Sequence, residues 1–190
     1  MLARMITLYH APRSRSTRIL WLLEEVGAHY EVVYVDIKRP TGGAPDPRNP
    51  HPEGKVPTLM HDGRLVTESV AIALYLTDLF PANDIGPPVG DPKRGEYLTW
   101  LAYYTGVMEP MLIDRASKRE EAEKVDRRVI GALSKGPYLL GERFSAADIF
   151  LASIMQFQRS FVPQTKLLDE FFARVTARPA LARAIQRDAP

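Results

Sequence analysis

The chain has 190 residues, 45% of them hydrophobic, and carries 25 basic against 23 acidic side chains for a formal charge of +2. A chain of this length buries one good core or two small ones, and its near-balanced charge points away from nucleic acid as a partner. It contains no cysteine, which excludes disulfides, thiolate metal sites and a cysteine nucleophile, so any thiol chemistry must use a thiol brought by the substrate. The opening MLARMITLYHAPRSRS has too short an apolar run for a signal peptide, and no apolar span reaches the ~18 residues of a membrane helix. The expected location is cytoplasmic, with Met5 a second candidate start.

In chain order, Ile6–Tyr9 reads as an apolar strand, Ile19, Leu22, Leu23 and Val26 recur at helical spacing, and Tyr30–Val35 alternates as a second strand. Lys38 to Glu53 is too rich in proline and glycine for regular structure and long enough to be a functional loop. Two short strands near Thr58–Met60 and Arg64–Val66 flank His61-Asp62-Gly63, where Asp-Gly signals a hairpin. Pro57 stands just before the first of them. Proline cannot donate to a sheet ladder, so it belongs at a strand's start, an edge or a turn. A helix follows with Ile72, Tyr75, Leu76 and Leu79 on one face, and Glu68 and Ser69 fall where it begins. Unpaired N–H groups tolerate an anion at such a position. The order β-α-β, loop, β-β-α is that of a thioredoxin-like domain, assigned to residues 4–82.

Phe80 to Lys93, FPANDIGPPVGDPK, carries four prolines and reads as a linker. Residues 91–190 read as an all-helical domain. Gly106 and Pro110 should kink or end its first helix. Ala122, Val125, Val129 and Leu133 form the buried stripe of the next, which Gly136-Pro137 stops. In FSAADIFLASIM, Ser145 is an N-cap, Asp148 completes a capping box, and Phe144 with Ile149 has the spacing of a hydrophobic staple. This nearly all-apolar helix should be the buried centre of the domain. Asp148 is therefore read as structural.

Taken in that order, LYHAPRSRSTRILWLLEEVG, NPHPEGKVPTL, LVTESVAIALYL and FSAADIFLA resemble the cytosolic glutathione S-transferases over almost the whole chain. The loop after the first strand carries Ser14 and Ser16 and neither tyrosine nor cysteine, which is similar to the bacterial serine-type members. The resemblance implies an α/β thioredoxin-like N-terminal domain followed by an all-α C-terminal domain. It implies a detoxifying transferase that conjugates the glutathione thiolate to a small hydrophobic electrophile. Glutathione would be the co-substrate, no metal would be used, and the protein would be a homodimer with neither nucleic acid nor membrane as partner.

Residue by residue, the resemblance implies that Val56 pairs through its backbone with the cysteinyl part of glutathione, with Pro57 cis. Glu68 and Ser69 would hold the γ-glutamyl ammonium and carboxylate, and Lys55 or His51 would meet the glycine carboxylate. A free thiol titrates near ~8.5, so a thiolate needs help at neutral pH. Ser14 is expected to contact the sulfur, with Ser16 the alternative; helix amides and the nearby Arg13, Arg15 and Arg18 would add positive potential. Tyr103, Tyr104 and Met108 are candidate walls of a hydrophobic pocket between the domains. Two other functions use the same sequence features: a glutathione-dependent disulfide reductase or peroxidase, and a non-catalytic binding protein of the same fold.

Overall fold

The structure, a computed structural model, describes residues 5–189. Its first strand, β1 (Ile6–His10), alternates buried and half-buried residues, as a strand does when both of its edges are paired and one face carries more cover than the other. It runs parallel to β2 (Tyr30–Tyr34), with His10 opposite Tyr34, and antiparallel to β3 (Thr58–His61), with Tyr9 opposite Thr58. β4 (Arg64–Thr67) folds back on β3 with Thr58 opposite Thr67, giving the sheet order β2-β1-β3-β4. The hairpin turns at Asp62 and Gly63, both at positive φ (49° and 76°), the geometry that the Asp-Gly pair favours. The described residues thus form the expected thioredoxin-like arrangement.

α1 (Thr17–Glu25) buries an unbroken run from Arg18 to Leu23, more than one amphipathic stripe. The reason is cover from more than one side: it packs against α2 (Ser69–Leu79) and against α8 (Pro179–Gln186). On α8, Ala180, Leu181 and Ala184 are buried, and Arg183 donates to the Glu24 carboxylate at 2.7 Å and to the Glu24 carbonyl at 3.1 Å. Arg187 lies over the Tyr30 ring, 4.6 Å from its centroid. Accordingly the chain divides into one compact unit that runs to Asn83 and takes in the segment from Pro179 onward, and a second, Asp84–Arg178. The last residues of the expected 91–190 helical domain fall in the first unit in this division: a short helix with one small-residue face can cover either unit, and here α8 packs on α1, with Arg183 on Glu24. The expected boundaries at residues 4 and 190 lie outside the described residues.

In the second unit, α3 (Arg94–Tyr103) passes through a π-helical turn at Tyr104–Met108 into α4 (Glu109–Ile113). Gly106 sits inside that wide turn, and Pro110, which cannot donate to the turn before it, follows just after it. α5 (Arg119–Leu133) buries Ala122, Val125, Val129 and Leu133 as expected. α6 (Ala146–Phe157) is the core helix, with Ile149 to Ala152, Ile154 and Met155 buried, and α7 (Lys166–Thr176) packs on it. The box at its start is present: Asp148 accepts from Ser145 N–H and from Leu139 N–H, both at 2.8 Å, and from the Ser145 hydroxyl at 3.1 Å. Burial pushes the Asp148 carboxyl up to about 7, against the pull of those donors. The proline-rich stretch is tied to the same place, since Ala146 N–H donates to the Ile85 carbonyl at 2.8 Å and Arg143 pairs with Asp84 and Asp91.

Candidate functional site

Strand register decides which segments meet. Thr58 lies opposite both Tyr9 and Thr67, so the chain leaves β1, enters β3 and leaves β4 at one end of the sheet. The segments just beyond these points hold Ser14, Val56-Pro57 and Glu68-Ser69. Thus one sheet end gathers three stretches that are widely separated in sequence.

The approach to β3 is built by buried Asn49. Its side-chain amide donates to the Lys55 carbonyl at 2.9 Å, its oxygen accepts from His51 N–H at 3.2 Å, and Thr58 donates to the same carbonyl at 3.0 Å. Gly54 stands at φ 64°, and a Cβ there would lie 2.5 Å from the Pro45 side chain, so the turn accepts only glycine. With Lys55 fixed, the chain enters β3 through a cis Val56–Pro57 bond, as the resemblance implied. The N–H and C=O of Val56 meet no partner among the described residues. A residue just before a strand with both groups open can pair with an added strand. Lys55 is exposed and paired with Glu53, which raises its pKa; the Glu68 carboxylate acts in the same sense and Arg15 in the opposite one. The His51 ring is engaged locally, its Nδ1 accepting from Glu53 N–H at 3.0 Å.

Glu68 is the N-cap residue of α2, held at φ 68° and ψ 124° without capping the helix through its side chain. Ser69 is the first helical residue and half-buried. Neither side chain has a hydrogen-bond partner among the described residues. A carboxylate, a hydroxyl and first-turn amides therefore lie together with capacity to spare, a combination suited to a zwitterionic amino-acid head.

The loop after β1 is anchored at Pro12, whose carbonyl accepts from Arg39 at 2.7 Å, and turns through Arg13 at φ 55°. Ser16 is the N-cap of α1 and has no exposed surface. Its hydroxyl touches His10 Nδ1 at 2.7 Å, Ala11 N–H at 3.2 Å and Ser14 Oγ at 2.7 Å. Ser14 stays half-buried and accepts from Ser16 N–H at 3.1 Å. Of the two serines, Ser14 is the one a ligand can reach. His10, Asn49, Arg39 and Asp188 were not anticipated: Asn-Pro and an isolated strand histidine are too common to mark a site.

Two of the three expected pocket residues are buried in the second unit. Tyr104 and Met108 are buried, the Tyr104 ring standing edge-on to Phe150 and its hydroxyl donating to Glu109 at 3.1 Å. Aromatic and Met side chains at helical spacing meet the neighbouring helix first. Tyr103 remains half-buried, with the Arg128 guanidinium 3.9 Å from its ring centroid. Among the described residues no group of three or more His, Asp or Glu could hold a metal, and no helix is long and apolar enough to cross a membrane.

Comparison with known proteins gives the family. The glutathione S-transferase N-terminal domain matches residues 4–78 and the C-terminal domain of the same family matches residues 102–179. Glutathione S-transferase hmp2 of Hypomyces subiculosus is 30% identical over 168 residues, 77% of this chain and 79% of that protein. The chain belongs to the glutathione S-transferase family. It is similar over nearly its full length to glutathione S-transferase GstA of Escherichia coli O157:H7, at 28% identity over 196 residues, 95% of this chain and 98% of GstA. Among solved structures, a glutathione transferase from Methylococcus capsulatus superposes with a TM-score of 0.80 at 27% identity, covering 96% of this chain and 98% of that one. A sphingomonad glutathione S-transferase, solved in complex with glutathione, does so at 0.82 with 25% identity and the same coverage. As a member of this family the chain is an enzyme, a glutathione S-transferase.

Proposed function

We propose that the chain binds glutathione at the end of its sheet and conjugates the thiolate to a small hydrophobic electrophile. The observation that carries this reading is the set of uncommitted groups gathered by the β1-β3-β4 register: the open backbone of Val56, the free Glu68 and Ser69 side chains, and the reachable Ser14 hydroxyl. Their order fits an extended tripeptide. The Glu68 carboxylate takes the γ-glutamyl ammonium, and the Ser69 hydroxyl with the α2 amides takes its carboxylate. Val56 pairs with the cysteinyl backbone, and Lys55 takes the glycine carboxylate in exchange for Glu53. The sulfur then faces Ser14, whose hydroxyl and the α1 N-terminus favour the charged form.

The family resemblance further supports a homodimer, a cytoplasmic location and a bacterial serine-type enzyme. Binding to immobilised glutathione, followed by assays with a chloronitrobenzene and with a small mixed disulfide, tests the function. Retention with turnover of the chloronitrobenzene is the expected result. Turnover of the disulfide alone would make the enzyme a reductase, and retention without turnover of either would make it a binding protein.

A further inference from the structure

The His10 imidazole is wholly buried at the end of β1, and its two nitrogens meet different chemistry. Nε2 faces oxygen acceptors, the Asp188 carbonyl at 3.4 Å and the Asp188 carboxylate at 3.4 Å. A ring nitrogen facing acceptors carries the proton, so the neutral ring has Nε2–H and a free lone pair at Nδ1. That lone pair lies 2.7 Å from Ser16 Oγ, nearer than the Ala11 carbonyl at 3.3 Å that could also accept from this hydroxyl, so Ser16 donates its hydrogen to His10. Ser16 in turn accepts Ala11 N–H at 3.2 Å and the Ser14 hydroxyl at 2.7 Å. Every hydrogen in the row points inward, and Ser14, its half-buried member, is left with a lone pair to offer a ligand.

We propose that Asp188, His10 and Ser16 are positioning residues that set the direction of the Ser14 hydroxyl and carry the proton of a bound glutathione thiol inward along this row. This rests on the reading that the thiol meets Ser14. In the step, the S–H bond breaks as its proton passes to Ser14 Oγ. Ser14 hands its own proton to Ser16, and Ser16 hands its own to His10 Nδ1. Sulfur keeps the electron pair, the imidazole gains one proton, and the total charge is unchanged. Each hydrogen then points outward, so Ser14 donates to the thiolate it has just produced, while Asp188 faces an imidazolium.

Among the described residues, three groups face the ring: Asp188 from the segment after α8, Ser16 from the start of α1, and the Tyr34 ring from β2, edge-on with centroids 5.8 Å apart. The charge that acts on it is that of Asp188. Burial lowers the pKa of His10, against the pull of Asp188, which keeps Nδ1 open at neutral pH. Asp188 is itself fixed by Arg13 N–H at 3.2 Å and by the Thr17 hydroxyl. It reaches the loop after β1 because α8 lies along α1.

Asp188→Asn keeps the shape of the contact and removes its charge. In the glutathione complex the thiol of this variant should titrate about one pH unit above wild type, roughly tenfold less thiolate at a fixed pH below the midpoint, with glutathione Kd unchanged within about twofold. His10→Phe should move the midpoint the same way. Nitrogen-15 NMR of the wild-type imidazole, assigned through its contact with Tyr34, should give the Nε2–H tautomer in the free protein and a second proton at Nδ1 when the bound thiol ionises. An Nδ1–H tautomer in the free protein, or an Asp188→Asn thiol that titrates with wild type, would overturn the inference and leave Ser14 in its role. A wild-type thiol that titrates as free glutathione does would overturn the reading of Ser14 and this inference with it.

Discussion

Replacing Ser14 by alanine isolates the thiolate contact. Ser14 Oγ is half-buried and has two neighbours within the protein, Ser16 Oγ at 2.7 Å and Ser16 N–H at 3.1 Å. Losing it removes one hydrogen bond to a charged sulfur, about 1.5–3 kcal/mol, which raises the thiol pKa by about one to two units. The fold is weakened as well, because the N–H of buried Ser16 loses Ser14 Oγ as its acceptor, a loss of about 1–3 kcal/mol. Ser16→Ala is the contrasting variant. Ser16 is fully buried and satisfies Ala11 N–H, so its loss leaves a buried donor unpaired at about 1–3 kcal/mol and breaks the row between Ser14 and His10; it should lower melting and shift the thiol by about the one unit expected of Asp188→Asn, less than Ser14→Ala does. Ultraviolet absorbance of the bound thiolate against pH, with the pH–rate profile beside it, reads both. A profile moved by Ser16→Ala and untouched by Ser14→Ala would reverse the roles, and no movement in either would leave backbone amides or arginines as the activators.

Ser69→Ala should weaken glutathione binding by about 1.5–3 kcal/mol, roughly ten- to a hundredfold, as read by calorimetry; an unchanged Kd would remove Ser69 from the γ-glutamyl site. Asp148→Ala should cost about 0.5–2 kcal/mol of stability through the lost cap and leave the turnover of folded enzyme alone, so unchanged melting with collapsed turnover would contradict the structural reading. Because the folded Asp148 pKa is raised from 3.8 to about 7, its contribution is fully present below about pH 4 and is lost as pH rises through about 7. The penalty of Asp148→Asn, followed by melting, should therefore shrink over that window; a constant or growing penalty would show that the buried carboxyl is ionised throughout. Leu181→Ala on α8 should cost about 2–5 kcal/mol, since Leu181 is buried in the first unit. A melting temperature equal to wild type would argue that α8 is not docked there in solution.

Much of the fold was legible because local chemistry and global structure agree. Alternation marked β1 and β2, Asp62-Gly63 marked the hairpin, and Ser145 with Asp148 marked the start of α6, each through a preference that acts within a few residues. The candidate site was legible at Val56, Pro57, Glu68 and Ser69 because these residues break local rules, and their motif carries the resemblance. What escaped was long-range. Asp188 meets His10 across 178 positions, and nothing within α8 tells which unit its small apolar face will cover. The burial of Tyr104 and Met108 was not legible because a pocket wall and a core contact have the same helical spacing, and the packing of Tyr104 on Phe150 is long-range. Ser14 and Ser16 differ in burial, which two serines two positions apart do not disclose in sequence.

The central claim is that glutathione lies across the end of the sheet with its sulfur at Ser14, and a crystal structure of the glutathione complex tests it most directly. The account predicts the cysteinyl backbone paired with Val56, the γ-glutamyl group held between Glu68 and Ser69, and the sulfur within hydrogen-bond distance of Ser14 Oγ. Glutathione bound away from Val56, or with its sulfur turned from the loop after β1, would contradict it.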